Sequence, residues 1–278
     1  MKIQFKNKIV FIIVYMGDWP WYFPYFLHSC RFNQSIDFII LSDCKSTMIE
    51  FPSNVRLLNY TISQFKTDAA KAFGFNISID HGYKLCDFKP AYGYIFSDLV
   101  KNYDFWGHCD IDIIFGNIRN FITPKILKEN DVISARHDYL TGSFALYKNI
   151  PFVNQLFKES KDYKKVYTNP LNFCFDETNY AFLEFSLGIT YSEINTEVES
   201  MTHVVKKLHE QGILKVYFEF QIIEGLGGNM LWNNGLLTYR KKFEVLYYHM
   251  IALKEIYFEE DVKTVPNKFR IGKRKIYL

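Results

Sequence analysis

No stretch of this chain is long enough and free enough of charge to cross a bilayer as a helix. The nearest candidate is the apolar run 9–15 behind the first lysines. It is too short for a span, and it is followed by Gly17-Asp18-Trp19-Pro20 where a cleaved leader would have small residues, so it reads as a buried first strand. An excess of one charge sign is missing too. The chain carries 33 Lys and Arg against 30 Asp and Glu, a net +3 over 278 residues, and so slight an imbalance argues against nucleic acid as the main partner. Paired cysteines are absent: Cys30, Cys44, Cys86, Cys109 and Cys174 form no CxxC and no zinc-like spacing, which points to reduced thiols and a cytoplasmic setting. There is no internal repeat and no low-complexity linker, so the length reads as one domain with appendages.

Aromatic residues are abundant, at 18% with 27 Phe and 20 Tyr. Much of this has to be core, and the surplus suits surfaces that stack on sugars or rest at a membrane interface. Trp19, Trp21 and Trp232 read as core or platform aromatics without an assignable role. The tail 268–278 mixes basic and apolar side chains, a composition that can lie against the anionic inner face of a membrane or end as a solvated basic segment.

The order of elements points to an α/β fold with a mixed, mainly parallel sheet and helices on both faces. Segments 8–16, 37–43 and 54–59 read as buried strands, with a helix over 21–30 between the first two. Residues 90–103 carry apolar side chains at helical spacing behind Pro90 and predict a helix. Further strands are expected over 131–135 and 142–147. Helices are expected over 152–161 and 176–185, and an antiparallel unit from 214–222 and 235–239. The glycines after Glu224 read as a turn, because they do not join a strand to a helix as a phosphate loop does.

The chemistry centres on Phe105-Trp-Gly-His-Cys-Asp-Ile-Asp-Ile-Ile-Phe-Gly116. Asp110 and Asp112 interrupt an apolar segment two residues apart, so both carboxylates turn toward one face of a strand or its exit loop. Two like charges there call for a cation, and a divalent metal is the simplest one. In open α/β sheets ligands sit outside the carboxyl ends of the strands. Tyr15, Gly17 and Asp43 also fall at such ends, which places them near one cleft: Tyr15 to stack, Gly17 to admit a close backbone and Asp43 to hydrogen-bond.

In four ordered segments the chain resembles the GT-A class of nucleotide-sugar glycosyltransferases, especially bacterial lipooligosaccharide and capsular polysaccharide enzymes with their glycogenin-like and mannosyltransferase-like relatives. The segments are Lys84-Leu-Cys-Asp87-Phe-Lys89, Asp110-Ile-Asp112, Thr141-Gly142 through Asn149, and His249-Met-Ile-Ala-Leu-Lys254. The last departs from the family's longer His-x-x-Gly-x-x-Lys spacing. The resemblance implies a peripheral or soluble hexosyltransferase using a UDP-sugar, with galactose or glucose favoured, and a glycan or glycolipid acceptor. It implies metal ligation by Asp110, Asp112 and His249, and the imidazole favours Mn²⁺ over Mg²⁺. Lys84, Asp87, Lys89, Asp110 and Lys254 would contact the donor, and Arg136 and Gly142 would lie at the cleft mouth. Asp176 and Glu177 resemble the acids beside the anomeric carbon: a general base if the transfer inverts, an electrostatic partner if it retains. Residues 1–150 would then form the nucleotide-sugar part and 151–278 the acceptor side. Two readings compete: a nucleotidyltransferase, whose glycine-rich loop after the first strand is missing here, and a non-catalytic sugar-binding relative.

Overall fold

The computed structural model describes residues 7–45, 50–259, 262 and 264–278. Its strands in the first half are β1 (Ile9–Val14), β2 (Ile36–Ser42), β3 (Val55–Asn59), β4 (Phe105–Cys109), β5 (Ile113–Phe115), β6 (Val132–Ser134) and β7 (Phe144–Lys148). The second half adds β8 (Val216–Phe218), β9 (Ile222–Glu224), β10 (Met230–Asn233), β11 (Leu236–Tyr239), β12 (Phe243–Glu244), β13 (Tyr247–His249), β14 (Lys268–Ile271) and β15 (Ile276–Tyr277).

Seven strands form the main sheet in the order β3-β2-β1-β4-β7-β6-β8. β3, β2, β1 and β4 run parallel, β7 is antiparallel to both neighbours, and β8 runs parallel to β6. The fold is therefore mixed α/β with a mainly parallel sheet. Its central strands are apolar on both faces because both faces are covered. Along β1, Val10 and Ile12 enter one core, while Ile9, Phe11 and Ile13 enter the other. The first core is closed by α2 (Ile62–Phe73) through Phe65 and Ala69, the second by α1 (Phe23–Arg31) through Phe23, Phe26, Leu27 and Cys30. Thr61 and Gln64 close a capping box at the start of α2, and Gly74, at φ +76°, ends it, so this helix carries its boundaries in its own sequence.

Two smaller sheets complete the molecule. β5, β13 and β9 form a three-stranded sheet, and β12-β11-β10-β14-β15 an antiparallel five-stranded one. The latter encloses a third core in which Trp232 stacks on Phe269 at 5.1 Å.

Several expected elements come out differently. The helix expected over 90–103 begins upstream as a 3₁₀ helix, Gly82–Ala91, and continues as two short α-helical pieces, Tyr92–Ile95 and Ser97–Val100. The segment 152–161 is a turn of α-helix, Pro151–Asn154, followed by a 3₁₀ turn, Leu156–Glu159. Of the helix expected over 176–185 only Phe182–Ser186 forms. Ahead of it Cys174, Asn179 and Tyr180 adopt positive φ, which interrupts helical winding. The segments 214–222 and 235–239 do not pair with each other: β8 joins the main sheet, β9 pairs with β13, and β11 pairs with β10. In the tail, Phe269, Ile271 and Ile276 are buried in the third core, while Tyr277 and Leu278 are exposed.

Candidate active site

β1, β2, β4 and β6 all end at one edge of the main sheet, and the antiparallel β7 begins there. At that edge lies a cleft of about 580 Å³, a volume suited to a small-molecule ligand. Asp110-Ile111-Asp112 is the exit loop of β4. Ile111 is buried in the second core while both acids face the cleft. The Asp110 N–H donates to the Ser143 carbonyl at 3.2 Å, prolonging the β4–β7 ladder by one bond.

Strand register delivers the third member. β5 follows the acids directly and pairs with β13 so that Ile113 faces His249, and the Met250 N–H donates to the Asp112 carbonyl. One oxygen of Asp112 lies 3.3 Å from His249 Nε2; the other receives Lys254 Nζ at 2.7 Å. Ligand atoms of Asp110, Asp112 and His249 all fall within 4.8 Å of one another. This donor set fits a divalent cation: two carboxylates and one imidazole is an ordinary combination, and 3.3 Å is the spacing of two ligands on one ion with bonds of about 2.0–2.2 Å. Burial works against charge on Asp112, yet His249 and Lys254 hold its carboxyl well below the usual range. Burial likewise opposes charge on His249, but hydrogen bonds to Asp112 and Glu224 raise its pKa to about 10. The carboxylates thus already gather positive charge where an ion would sit.

Behind His249 stands Glu224. The two residues are register partners in the parallel pair β13–β9, with His249 Nδ1 3.4 Å from Glu224 Oε1. Arg136 donates to Glu224 and holds both oxygens of Asp138, at 2.8 and 2.6 Å. A carboxylate on the outer nitrogen of a metal-ligating histidine fixes its tautomer and ring orientation.

The opposite wall comes from the 3₁₀ helix. Three residues per turn align side chains at intervals of three, and Tyr83, Cys86, Lys89 and Tyr92 form one stripe along the cleft. Lys89 Nζ donates to Asp110 at 2.6 Å and to the Gly142 carbonyl at 3.0 Å, and lies 3.5 Å from Asp176. Burial disfavours its charge, but the Asp110 carboxylate above all outweighs that and raises its pKa. A Cβ at Gly142 would displace the Asp176 carboxylate and crowd Glu177. The Gly142 N–H donates to Glu177 at 2.7 Å, which anchors that acid to the backbone. Asp176 faces the cleft, and burial pushes its carboxyl well above the usual range despite Lys89. Burial raises the Glu177 carboxyl as well.

Of the residues expected here, Tyr15, Lys89, Asp110, Asp112, Gly142, Asp176, Glu177, His249 and Lys254 line the cleft. Lys84, Asp87, Arg136, Gly17 and Asp43 do not, and each has a different task. Lys84 is fully buried, with Nζ on Asp87 at 2.8 Å and on the carbonyls of Val166 and Leu171. The Asp87 carboxylate accepts the N–H groups of Phe173 and Phe175 at 2.9 and 2.8 Å, so this pair braces the loop that presents Asp176. Arg136 acts behind His249 through Glu224. Gly17, at φ +105°, donates to Asp43 at 2.9 Å and ties two strand-end loops together. Tyr15 stacks on Trp19 at 5.7 Å and Trp19 on Phe23 at 4.0 Å, which makes Trp19 part of a packed aromatic column.

A family model described as a family of unknown function (DUF6625) matches residues 11–277. The chain belongs to that family. No curated protein matches it. Similar solved structures include the glycosyltransferase GlyE of Streptococcus pneumoniae TIGR4, at 12% identity over 76% of this chain and 45% of that one, with a TM-score of 0.34. Another is the galactosyltransferase LgtC in complex with donor and acceptor sugar analogues, at 14% identity over 64% of this chain and 69% of that one, with a TM-score of 0.33. The chain spans less than half the length of the first.

In this DUF6625 member the sequence reading missed Glu224, Tyr83, Cys86 and Tyr92. The stripe was legible as a period of three from residue 83 to residue 92. Glu224 had no local signal, because its role arises from pairing with a strand 25 residues later.

Proposed function

We propose that this chain is a metal-dependent glycosyltransferase that moves a hexose, galactose or glucose, from a UDP-sugar to a glycan or glycolipid acceptor. The observation that carries this reading is the convergence of Asp110, Asp112 and His249 with Lys89, Lys254 and the buried Asp176 in one cleft at the carboxyl edge of the sheet. Asp110, Asp112 and His249 would hold the cation, Mn²⁺ in preference to Mg²⁺. When bound, it supplies positive charge that stabilises the departing diphosphate.

The chain's own residues supply the rest. Lys254 is placed to add a fixed positive charge at the diphosphate, and Lys89 to hold Asp110 and Asp176 in register beneath the sugar. Tyr15, at the end of β1, offers a ring for the base. Asp176 takes the proton of the acceptor hydroxyl if the transfer inverts, or stabilises the electron-poor anomeric carbon if it retains; the stereochemistry of the product distinguishes these roles. The chain after residue 150, apart from His249 and Lys254 at the cation and diphosphate, would form the acceptor side. The test is turnover of UDP-galactose and UDP-glucose with Mn²⁺ present. It should be abolished by chelator and fall by about 10²-fold or more in Asp112→Asn. Undiminished turnover in that variant contradicts the reading.

A further inference from the structure

The net charge is only +3, yet six cations gather at one end of the five-stranded sheet. Met230 opens the central strand β10 and has Tyr239 of β11 on one side and Ile271 of β14 on the other. Each of those strands leaves that end through a turn. β11 passes to β12 through Arg240-Lys241-Lys242, and β14 to β15 through Lys273-Arg274-Lys275. With strands about 4.8 Å apart, the two basic turns stand side by side and flank the loop 225–229. The Arg240 N–H donates to the Asn229 carbonyl at 2.8 Å, and Lys273 packs against Gly228.

All six side chains are exposed, and none forms an ion pair among the described residues. Their neighbours are aromatic: Arg240 lies over Tyr239 at 5.0 Å, Lys242 over Phe243 at 5.1 Å and Lys275 over Tyr277 at 4.7 Å. Arg240 and Lys273 also line a groove of about 430 Å³ whose other wall carries the exposed Phe220 and Leu226. Glu224 borders both this groove and the active-site cleft.

We infer that the two basic turns are a docking surface for an anionic lipid bilayer. A flat, polyanionic headgroup layer meets all six cations at once, while Phe220, Leu226 and Phe243 offer apolar contacts at the interfacial level. The inference differs from insertion of the tail, whose Phe269, Ile271 and Ile276 are committed to the third core. It stands apart from the transferase reading. If that reading also holds, docking brings the chain to the membrane and favours an acceptor anchored there.

The experiment is co-sedimentation of the full chain with vesicles of phosphatidylcholine alone and of phosphatidylcholine with an equal amount of phosphatidylglycerol, at low and physiological salt. Binding is expected only to the anionic vesicles, weakening with salt. Lys241→Glu with Lys242→Glu, or Arg274→Glu with Lys275→Glu, should each cost about tenfold in affinity or more, and the combination should abolish binding. Thermal melting and metal-dependent UDP binding report folding and the cleft separately, so failure of one reading is distinguishable from failure of the other. Absence of wild-type binding, equal binding to both vesicles, or unchanged binding by the folded quadruple variant overturns the inference. So does retention on heparin or single-stranded RNA that anionic vesicles fail to displace.

Discussion

Glu224 borders the cleft and acts on it through His249. It lies against the outer nitrogen of His249 and is held in turn by Arg136. Replacing it by Gln keeps the shape and removes the charge that orients the imidazole. Glu224→Gln should weaken Mn²⁺ binding, measured by titration calorimetry, by about 10- to 100-fold, with the thermal midpoint little changed. Equal affinity in the variant would mean that His249 is oriented by something else. His28 carries a second residue-scale prediction, on stability. Its ring packs between Trp232 and Phe32, at 4.8 and 5.3 Å, and burial lowers its pKa to about 4. The folded state therefore keeps it neutral, whereas the unfolded chain takes up the proton below the ordinary value near 6.5. Its contribution is fully present above that value and is lost as pH falls toward 4. For a half-buried ring this is on the order of 1 kcal/mol. In urea titrations at pH 7 and pH 4.5, the His28→Phe variant should gain on the wild type as pH falls; a constant difference would contradict the assignment.

At the scale of elements, the Lys84–Asp87 pair links the 3₁₀ helix to the loop 173–176. Both side chains are wholly buried and satisfied by each other and by the loop backbone. Breaking such a pair strands a buried charge, so Asp87→Asn should lower stability by about 3–5 kcal/mol in denaturant unfolding. A loss below 1 kcal/mol would show that the brace is dispensable. The element pattern also shows where sequence reasoning works. The strands β1 and β2 were legible as apolar runs ending in polar residues, because burial on both faces leaves little other composition; β3, expected as a buried strand, is the edge strand and is half-exposed. The helix expected over 90–103 forms only as the two short pieces Tyr92–Ile95 and Ser97–Val100, because the backbone ahead of them winds at three residues per turn from Gly82 to Ala91. The loop before Phe182 was misread because positive φ at Cys174 and Tyr180 leaves no glycine to announce it.

At the scale of the whole molecule, the cleft is where the ends of the main sheet meet a second, three-stranded sheet. Asp110 and Asp112 were visible locally, as acids two apart in an apolar segment. Their partners were not: His249 arrives by antiparallel pairing of β13 with β5, and Glu224 by parallel pairing of β9 with β13, contacts between segments far apart in the chain. The resemblance by ordered motifs supplied His249 and Lys254, but it assigned Lys84 and Asp87 to the donor, where the structure uses them as a buried brace. The proposed function requires this convergence to make a cation-dependent diphosphate site. Its most direct test is calorimetric titration of the wild type and of Asp112→Asn with UDP, each with and without Mn²⁺. The ion should strengthen UDP binding by about tenfold or more in the wild type and not in the variant. Equal UDP affinity with and without Mn²⁺ in the wild type would contradict it.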